Sequence, residues 1–206
     1  MCIRDSIRQI SFRLSAFGVY KFIALTSDAE YSLLKLGIKS SQIEIIPNGV
    51  EVSNKKVKKK RDGALKICFA GRLIARKQVD IILDSASIMK SRGFNDFHIY
   101  IIGDGPEKKR LADKTLSLEL CENVTYIGEI ENERVLKYLN DMTALVLPSI
   151  SEGMSNSLLQ GCASGCIPFV WDIPQNKTIV KHIENGFVFS SALELAKYLT
   201  RISDYG

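Results

Sequence analysis
Arg72 and Lys77 stand five residues apart, just after a short apolar run from Leu65 to Ala70. Arginine grips anion oxygens through a planar fork, and lysine adds a mobile point charge, so the two form a natural clamp for a phosphate-like group. Gly71 beside them lets a ligand or another backbone approach closely, because it carries no side chain. Further along, Glu152 and Gly153 form an acidic turn after a second apolar run, and Met154, Ser155, Asn156 and Ser157 open a helix. Free backbone N–H groups and the helix dipole favour an anion at such a start. Gln160 adds a polar side chain deeper in the same helix. A third loop, Gly103-Asp104-Gly105-Pro106, lacks the full spacing of a dinucleotide fingerprint and reads as a tight strand-to-helix turn with Pro106 at the first helical position.

These residues need a scaffold that gathers them. From Leu65 onward the chain alternates apolar runs of strand length (65–70, 97–102, 124–127, 144–147, 167–170, 187–189) with helical patterns (107–118, 131–139, 155–163, and from Leu193 to Tyr205), and a helix carrying Val79, Ile82, Ala86 and Met89 on one face follows the first run. Alternation of this kind implies an α/β protein with a doubly wound parallel sheet and right-handed crossovers. In such sheets ligands bind outside the carboxyl ends of the strands, where Arg72, Gly103, Glu152 and the Trp171-Asp172 pair collect. Residues 7–50 hold two further short strands around 22–27 and 43–47, a helix with Asp28 as its candidate cap, and an Asn48-Gly49 turn. Residues 51–64, charged and poor in large apolar groups, read as a linker before a domain at 65–206.

Composition narrows the classes. A 206-residue chain with 46% apolar residues has ample length to bury a core, and no apolar run approaches a membrane span. With no signal peptide readable and five cysteines in no disulfide or CxxC spacing, the expectation is free thiols in a cytoplasmic protein. Net charge is +5, with Lys55, Lys56, Lys58, Lys59, Lys60 and Arg61 crowded together; this is a solvated linker or a peripheral contact with anionic membrane. No nucleic-acid-binding signature accompanies the run. Residues 1–6, MCIRDS, read as a translated sequencing adapter, which would mean a reading frame cut at its start.

The separation of Glu152 and Gln160, eight residues or about 12 Å if both lie on one helix, is on the scale of a nucleotide sugar from ribose to sugar. The set FAGRLIARK (69–77), IIGDGP (101–106), YIGEI (126–130), LPSISEG (147–153) and SLLQGCASGCIPFV (157–170), flanked by IIPNGV (45–50) and ENGF (184–187), resembles the retaining GT-B-fold glycosyltransferases, in particular their large nucleotide-sugar-dependent bacterial family (glycosyl transferases group 1). The resemblance covers roughly residues 20 to 204 and implies a carboxyl-terminal donor-binding domain with a remnant of the second, acceptor-side Rossmann-like domain at 7–50. It implies transfer of a hexosyl unit from a UDP- or GDP-sugar to a saccharide or lipid-linked acceptor in polysaccharide or glycolipid synthesis.

By the same resemblance, Arg72 and Lys77 hold the donor diphosphate, Glu152 contacts the transferred sugar, and amides at Asn156 and Ser157 hold phosphate oxygens. Gly71, Gly103, Ile130, Met154 and Ser155 complete the donor site, the base packing beside the loop from Glu129 to Glu131. Arg72, Lys77 and Glu152 are the candidate catalytic residues. No resident cofactor is expected, and no metal, since no aspartate pair has the DxD spacing. Two positions depart from the family. Gln160 replaces the glutamate that receives the ribose hydroxyls, which removes the charge-assisted part of that hydrogen bond and predicts weaker or altered ribose binding. Gln78 stands where glycine is frequent. Two other readings stay open: a non-catalytic sugar-nucleotide-binding partner of an active transferase, supported by Gln160, and a sugar-nucleotide epimerase on the same fold.

Overall fold
The computed structural model describes residues 18–52 and 63–203. The lysine-rich run, most of the expected linker, residues 1–6 and the last residues of the expected final helix lie outside them. The chain divides between Asn48 and Gly49 into two compact units.

In the first unit, β1 (Phe22–Ala24) and β2 (Ile43–Ile45) pair in parallel around α1 (Ser27–Lys35). Thr26, not Asp28, caps α1: its backbone is extended and its Oγ1 accepts from the Ala29 amide at 3.2 Å, while Asp28 sits inside the first turn. An extended residue just outside the helix is the only one placed to receive those first amides, which is why the expectation slips by two positions. Gly37 closes the helix with φ +87°, a conformation that glycine adopts without penalty. The stretch from Asn48 to Gly49 runs as irregular chain rather than a turn.

The second unit is a six-stranded parallel sheet. Its strands are β3 (Leu65–Ala70), β4 (Phe97–Ile102), β5 (Val124–Gly128), β6 (Ala144–Leu147), β7 (Ile167–Trp171) and β8 (Phe187–Phe189), in the order β5-β4-β3-β6-β7-β8. The helices are α2 (Asp80–Ser91), α3 (Lys108–Ser117), α4 (Asn132–Asp141), α5 (Asn156–Ala163), α6 (Pro174–Lys177) and α7 (Ala192–Ser203). The order reverses direction between β3 and β6, the switch point at which doubly wound sheets open a crevice.

Strand register shows that helices cover both faces. Phe69, Ile101 and Tyr126 share one row, and the Tyr126 hydroxyl meets Thr115 of α3 at 2.8 Å. Cys68 and Leu145 share the next row, on the opposite face, and Leu145 packs against Gly161 of α5. A methyl on Gly161 would come within 2.4 Å of Leu145 Cδ2, so glycine sets how closely α5 lies on β6. Buried on both sides, the central strands read as continuous apolar runs, and Ile67, Phe69, Ile101, Leu145, Val146 and Phe169 are fully enclosed.

Three helix starts that differ from the sequence expectation show why such boundaries shift. α3 begins at Lys108, leaving Pro106 in the preceding turn. α5 begins at Asn156, with Ser155 as its cap: the Ser155 hydroxyl accepts from the Leu158 amide at 3.3 Å. α7 begins at Ala192 beneath a reciprocal start, where Ser191 Oγ accepts from the Glu194 amide at 3.2 Å and the Glu194 carboxylate accepts from the Ser190 amide and hydroxyl.

Candidate functional site
At the carboxyl ends of β3, β4 and β5 the loops enclose a cavity of about 450 Å³, closed on the remaining side by the start of α5. Gly71, Arg72, Gly103, Ile130, Asn156, Ser157 and Gln160 of the expected site line it together, with Asp104, Gly105, Glu129, Asn132 and Val135. Its size suits a nucleotide-sized ligand. Asn132 and Val135 were not singled out in the sequence; the signal for them is their place at the start of the helix that follows the β5 carboxyl end.

The glycines are explained by backbone packing. At Gly103, φ is +128° and a Cβ would lie 2.0 Å from the Gly71 carbonyl oxygen. At Gly105 a Cβ would lie 2.4 Å from the Leu73 carbonyl oxygen. Side chains there would force the β3 and β4 loops apart, so these positions build the cavity floor whether or not a ligand touches them. The Gly71 amide donates to Ile102 O at 3.0 Å and the Gly103 amide to Gly128 O at 2.8 Å, lacing three loops into one rim. β5 carries an irregularity there, Ile101 facing Tyr126 and Ile102 facing Gly128, which skips one residue and redirects Glu129 and Ile130 toward the cavity.

Electrostatics fit an anion at one end. Arg72 is exposed at the cavity, and Asn156 and Ser157 at the start of α5 line it as well. Asp104, the acid of the Gly103–Pro106 loop, is neutralised locally: Lys108 Nζ donates to Oδ2 at 2.5 Å and the Gly105 amide to Oδ1 at 2.7 Å. The Lys108 hydrogen bond, then the amide, hold its carboxyl below the usual carboxylate range.

Lys77 and Glu152 do not line the cavity; they pair with each other as a largely buried ion pair beside it. The Lys77 stem passes the rim, since a methyl on Gly71 would lie 4.0 Å from Lys77 Cε. The Ile150 amide donates to Arg76 O at 3.1 Å, tying the two loops that carry the pair. Gln78, directly after Lys77, has left-handed backbone (φ +44°), which is the physical reason glycine suits this position. Gln78 Oε1 and Ser149 Oγ, which flank the ion pair in sequence, are buried without a hydrogen-bond partner.

Met154 and Ser155 lie outside the cavity lining, Ser155 serving as the α5 cap. Because α5 starts at Asn156, Glu152 and Gln160 do not share a helix, and the 12 Å separation read along one does not apply. The Gln160 amide Nε2 donates to Asn132 Oδ1 at 2.8 Å, joining α5 to the start of α4. Among the described residues, no three His, Cys, Asp or Glu side chains gather closely enough to hold a metal, and no helix is long and apolar enough to cross a membrane.

A doubly wound sheet with this strand order and a cavity at its carboxyl rim defines a Rossmann-like, nucleotide-binding type of domain. The chain belongs to the glycosyl transferases group 1 family, whose model matches residues 51–204. It is similar to the amylovoran biosynthesis glycosyltransferase AmsK of Erwinia amylovora, 25% identical over 84% of this chain and 45% of the relative. It is also similar to the lipopolysaccharide 1,6-galactosyltransferase of Escherichia coli K12, 22% identical over 89% of this chain and 51% of the relative. Its fold matches the crystal structure of Anabaena Alr3699/HepE in complex with UDP and glucose, with a TM-score of 0.81, 16% identity, and coverage of 96% of this chain and 58% of that one. The chain thus spans about half the length of the relatives it matches.

Proposed function
We propose that this chain carries the donor-binding half of a retaining transferase that moves a hexosyl unit from a UDP- or GDP-sugar to a saccharide or lipid-linked acceptor in polysaccharide or glycolipid synthesis. The observation that supports this most is the single cavity in which Arg72, the α5 start, the Ile130 loop and Gln160 converge. In this reading Arg72 and the amides at Asn156 and Ser157 hold the diphosphate, while Glu129 and Ile130 face the base. Lys77 reaches the diphosphate from beside Gly71, and Glu152 faces the sugar. Positive groups fixed around the departing diphosphate stabilise the charge that builds there as the glycosidic bond breaks, which is this half's contribution to rate. The protein works in the cytoplasm, with residues 51–64 joining the donor domain to a partial acceptor-side domain at 7–50, and the lysine run offers a peripheral contact with anionic lipid.

Relatives roughly twice as long suggest that the acceptor is held by sequence beyond this half, so the 206-residue chain binds nucleotide without transferring sugar. Calorimetric titration of the folded chain with UDP and with GDP tests the site. Binding of one with micromolar to millimolar affinity, and no transfer from its hexose conjugate, is the expected result. Absence of binding by both nucleotides removes the donor-site reading, and full-rate transfer removes the half-enzyme reading. A non-catalytic nucleotide-sugar-binding role is the second reading, favoured by the neutral Gln160 in place of a carboxylate; a full-length protein that binds donor yet neither transfers nor hydrolyses it would have that role.

A further inference from the structure
We infer that Asn132 is a positioning residue that turns Gln160 into a neutral ribose acceptor, so that an amide pair bridging α4 and α5 replaces a carboxylate at this subsite. The inference rests on the reading of the cavity as a nucleoside diphosphate site and assigns a role to a residue that neither the family pattern nor the sequence marked.

The argument starts from what an amide can do. A glutamine side chain has a donor end and an acceptor end, and either can face a ligand. A hydroxyl pair on a sugar needs an acceptor. A glutamate offers one in every orientation, whereas a glutamine offers one only with its oxygen turned to the ligand, an orientation favoured when its NH₂ group is engaged elsewhere. Asn132 Oδ1 supplies that engagement, taking the Gln160 Nε2 proton at 2.8 Å. Both residues line the cavity, so the bond lies along its wall and leaves Gln160 Oε1 as the free acceptor of the pair.

Their positions make the bond specific to the site. Asn132 is the first residue of α4, just beyond the redirected Glu129-Ile130 segment, and Gln160 lies one helical turn after Asn156 on α5. Twenty-eight residues separate them in sequence, and the bond joins the exposed first residue of α4 to a half-buried side chain midway along α5, both outside the hydrophobic core. Its evident consequence is orientation. It also adds no further charge to a wall that already carries Glu129. A carboxylate here would repel the diphosphate that Arg72 attracts, and the neutral pair avoids that repulsion while giving up the stronger charge-assisted bond.

The test compares UDP with 2′,3′-dideoxy-UDP, which lacks both ribose hydroxyls, by calorimetry on the full chain and on Asn132→Ala, Gln160→Ala, the double variant and Asn132→Asp. In the unmodified chain UDP should bind about fivefold more tightly than the dideoxy nucleotide, the size of one or two neutral hydrogen bonds. That ratio should fall to about twofold or less in each alanine variant and no further in the double variant, because the two residues act through one contact. Asn132→Asp keeps an acceptor for Gln160 Nε2, so it should preserve the ratio even if its charge weakens both nucleotides alike. A purely structural Asn132 would shift both affinities together and leave the ratio unmoved. If Asn132→Ala retains the parent ratio, or Asn132→Asp loses it, the positioning role is overturned while the UDP site stands. If the unmodified chain binds GDP and not UDP, the same comparison is made with GDP and its dideoxy form; if it binds neither, the site reading and the inference fall together.

Discussion
At the scale of single residues, the ion pair of Lys77 with Glu152 decides how the proposed chemistry begins. With the two groups paired and largely buried, an incoming diphosphate must compete with the Glu152 carboxylate for the ammonium. Replacing Glu152 by glutamine keeps the shape and removes the competing charge. Glu152→Gln should therefore bind UDP about fivefold more tightly, roughly 1 kcal/mol in binding free energy. Lys77→Met should weaken UDP binding instead. Calorimetry on both variants checks the pair; equal or weaker UDP affinity in Glu152→Gln would show that the two groups do not exchange partners. Sequence reading placed both residues at the strand ends, because a loop after an apolar run is a local signal. Their pairing across 75 residues was not legible, nor was the partner of Gln160, since side-chain partners depend on how separate loops meet in space.

At the scale of elements, the site depends on how closely two loops approach. Gly103 lets the β4 loop rest on the Gly71 carbonyl, where a methyl would collide with backbone rather than with a side chain able to swing away. Gly103→Ala should cost about 2–3 kcal/mol through this overlap and its unfavourable φ. For a chain of this length that lowers the melting temperature by roughly 5–10 °C, and UDP affinity should fall with it. Melting indistinguishable from the parent would mean that the loops separate freely and that the lacing between Gly71, Ile102 and Gly128 is unimportant. The elements themselves were legible, because buried strands read as apolar runs and helices as periodic faces. Their starts were displaced by one or two residues at α1, α3 and α5. At α1 and α5 the difference lies at the cap, where Thr26 and Ser155 hold extended backbone just outside the helix; at α3, Pro106 and Glu107 form a turn without a side-chain cap. Side-chain type does not separate a cap from a first-turn residue, and the Gly128 irregularity that turns Ile130 inward has no sequence mark at all.

At the scale of the whole second unit, alternating strand and helix patterns implied a parallel doubly wound sheet. The order β5-β4-β3-β6-β7-β8 then places the cavity beside the switch point between β3 and β6. Two carboxylates tie the ends of this unit to solvent pH. Asp104, beneath the cavity, is held by Lys108 and the Gly105 amide; Glu194, at the start of α7, is held by the Ser190 amide and hydroxyl. Both titrate below their ordinary values in the fold, so the unfolded chain binds protons first as pH falls. Their stabilising contribution is complete above the unfolded range near pH 4–4.5 and is lost as pH drops through the lower folded values. Their share of thermal stability should therefore be level from about pH 7 to pH 5 and decline below about pH 4. Glu194→Gln should melt lower than the parent at neutral pH, because its amide accepts the two Ser190 hydrogen bonds less strongly. It should also lose less between pH 5 and pH 3 on the same grounds, since one depressed carboxylate is gone. Melting curves across that range check the sign: a variant running parallel to the parent throughout would show that Glu194 does not link the fold to protons.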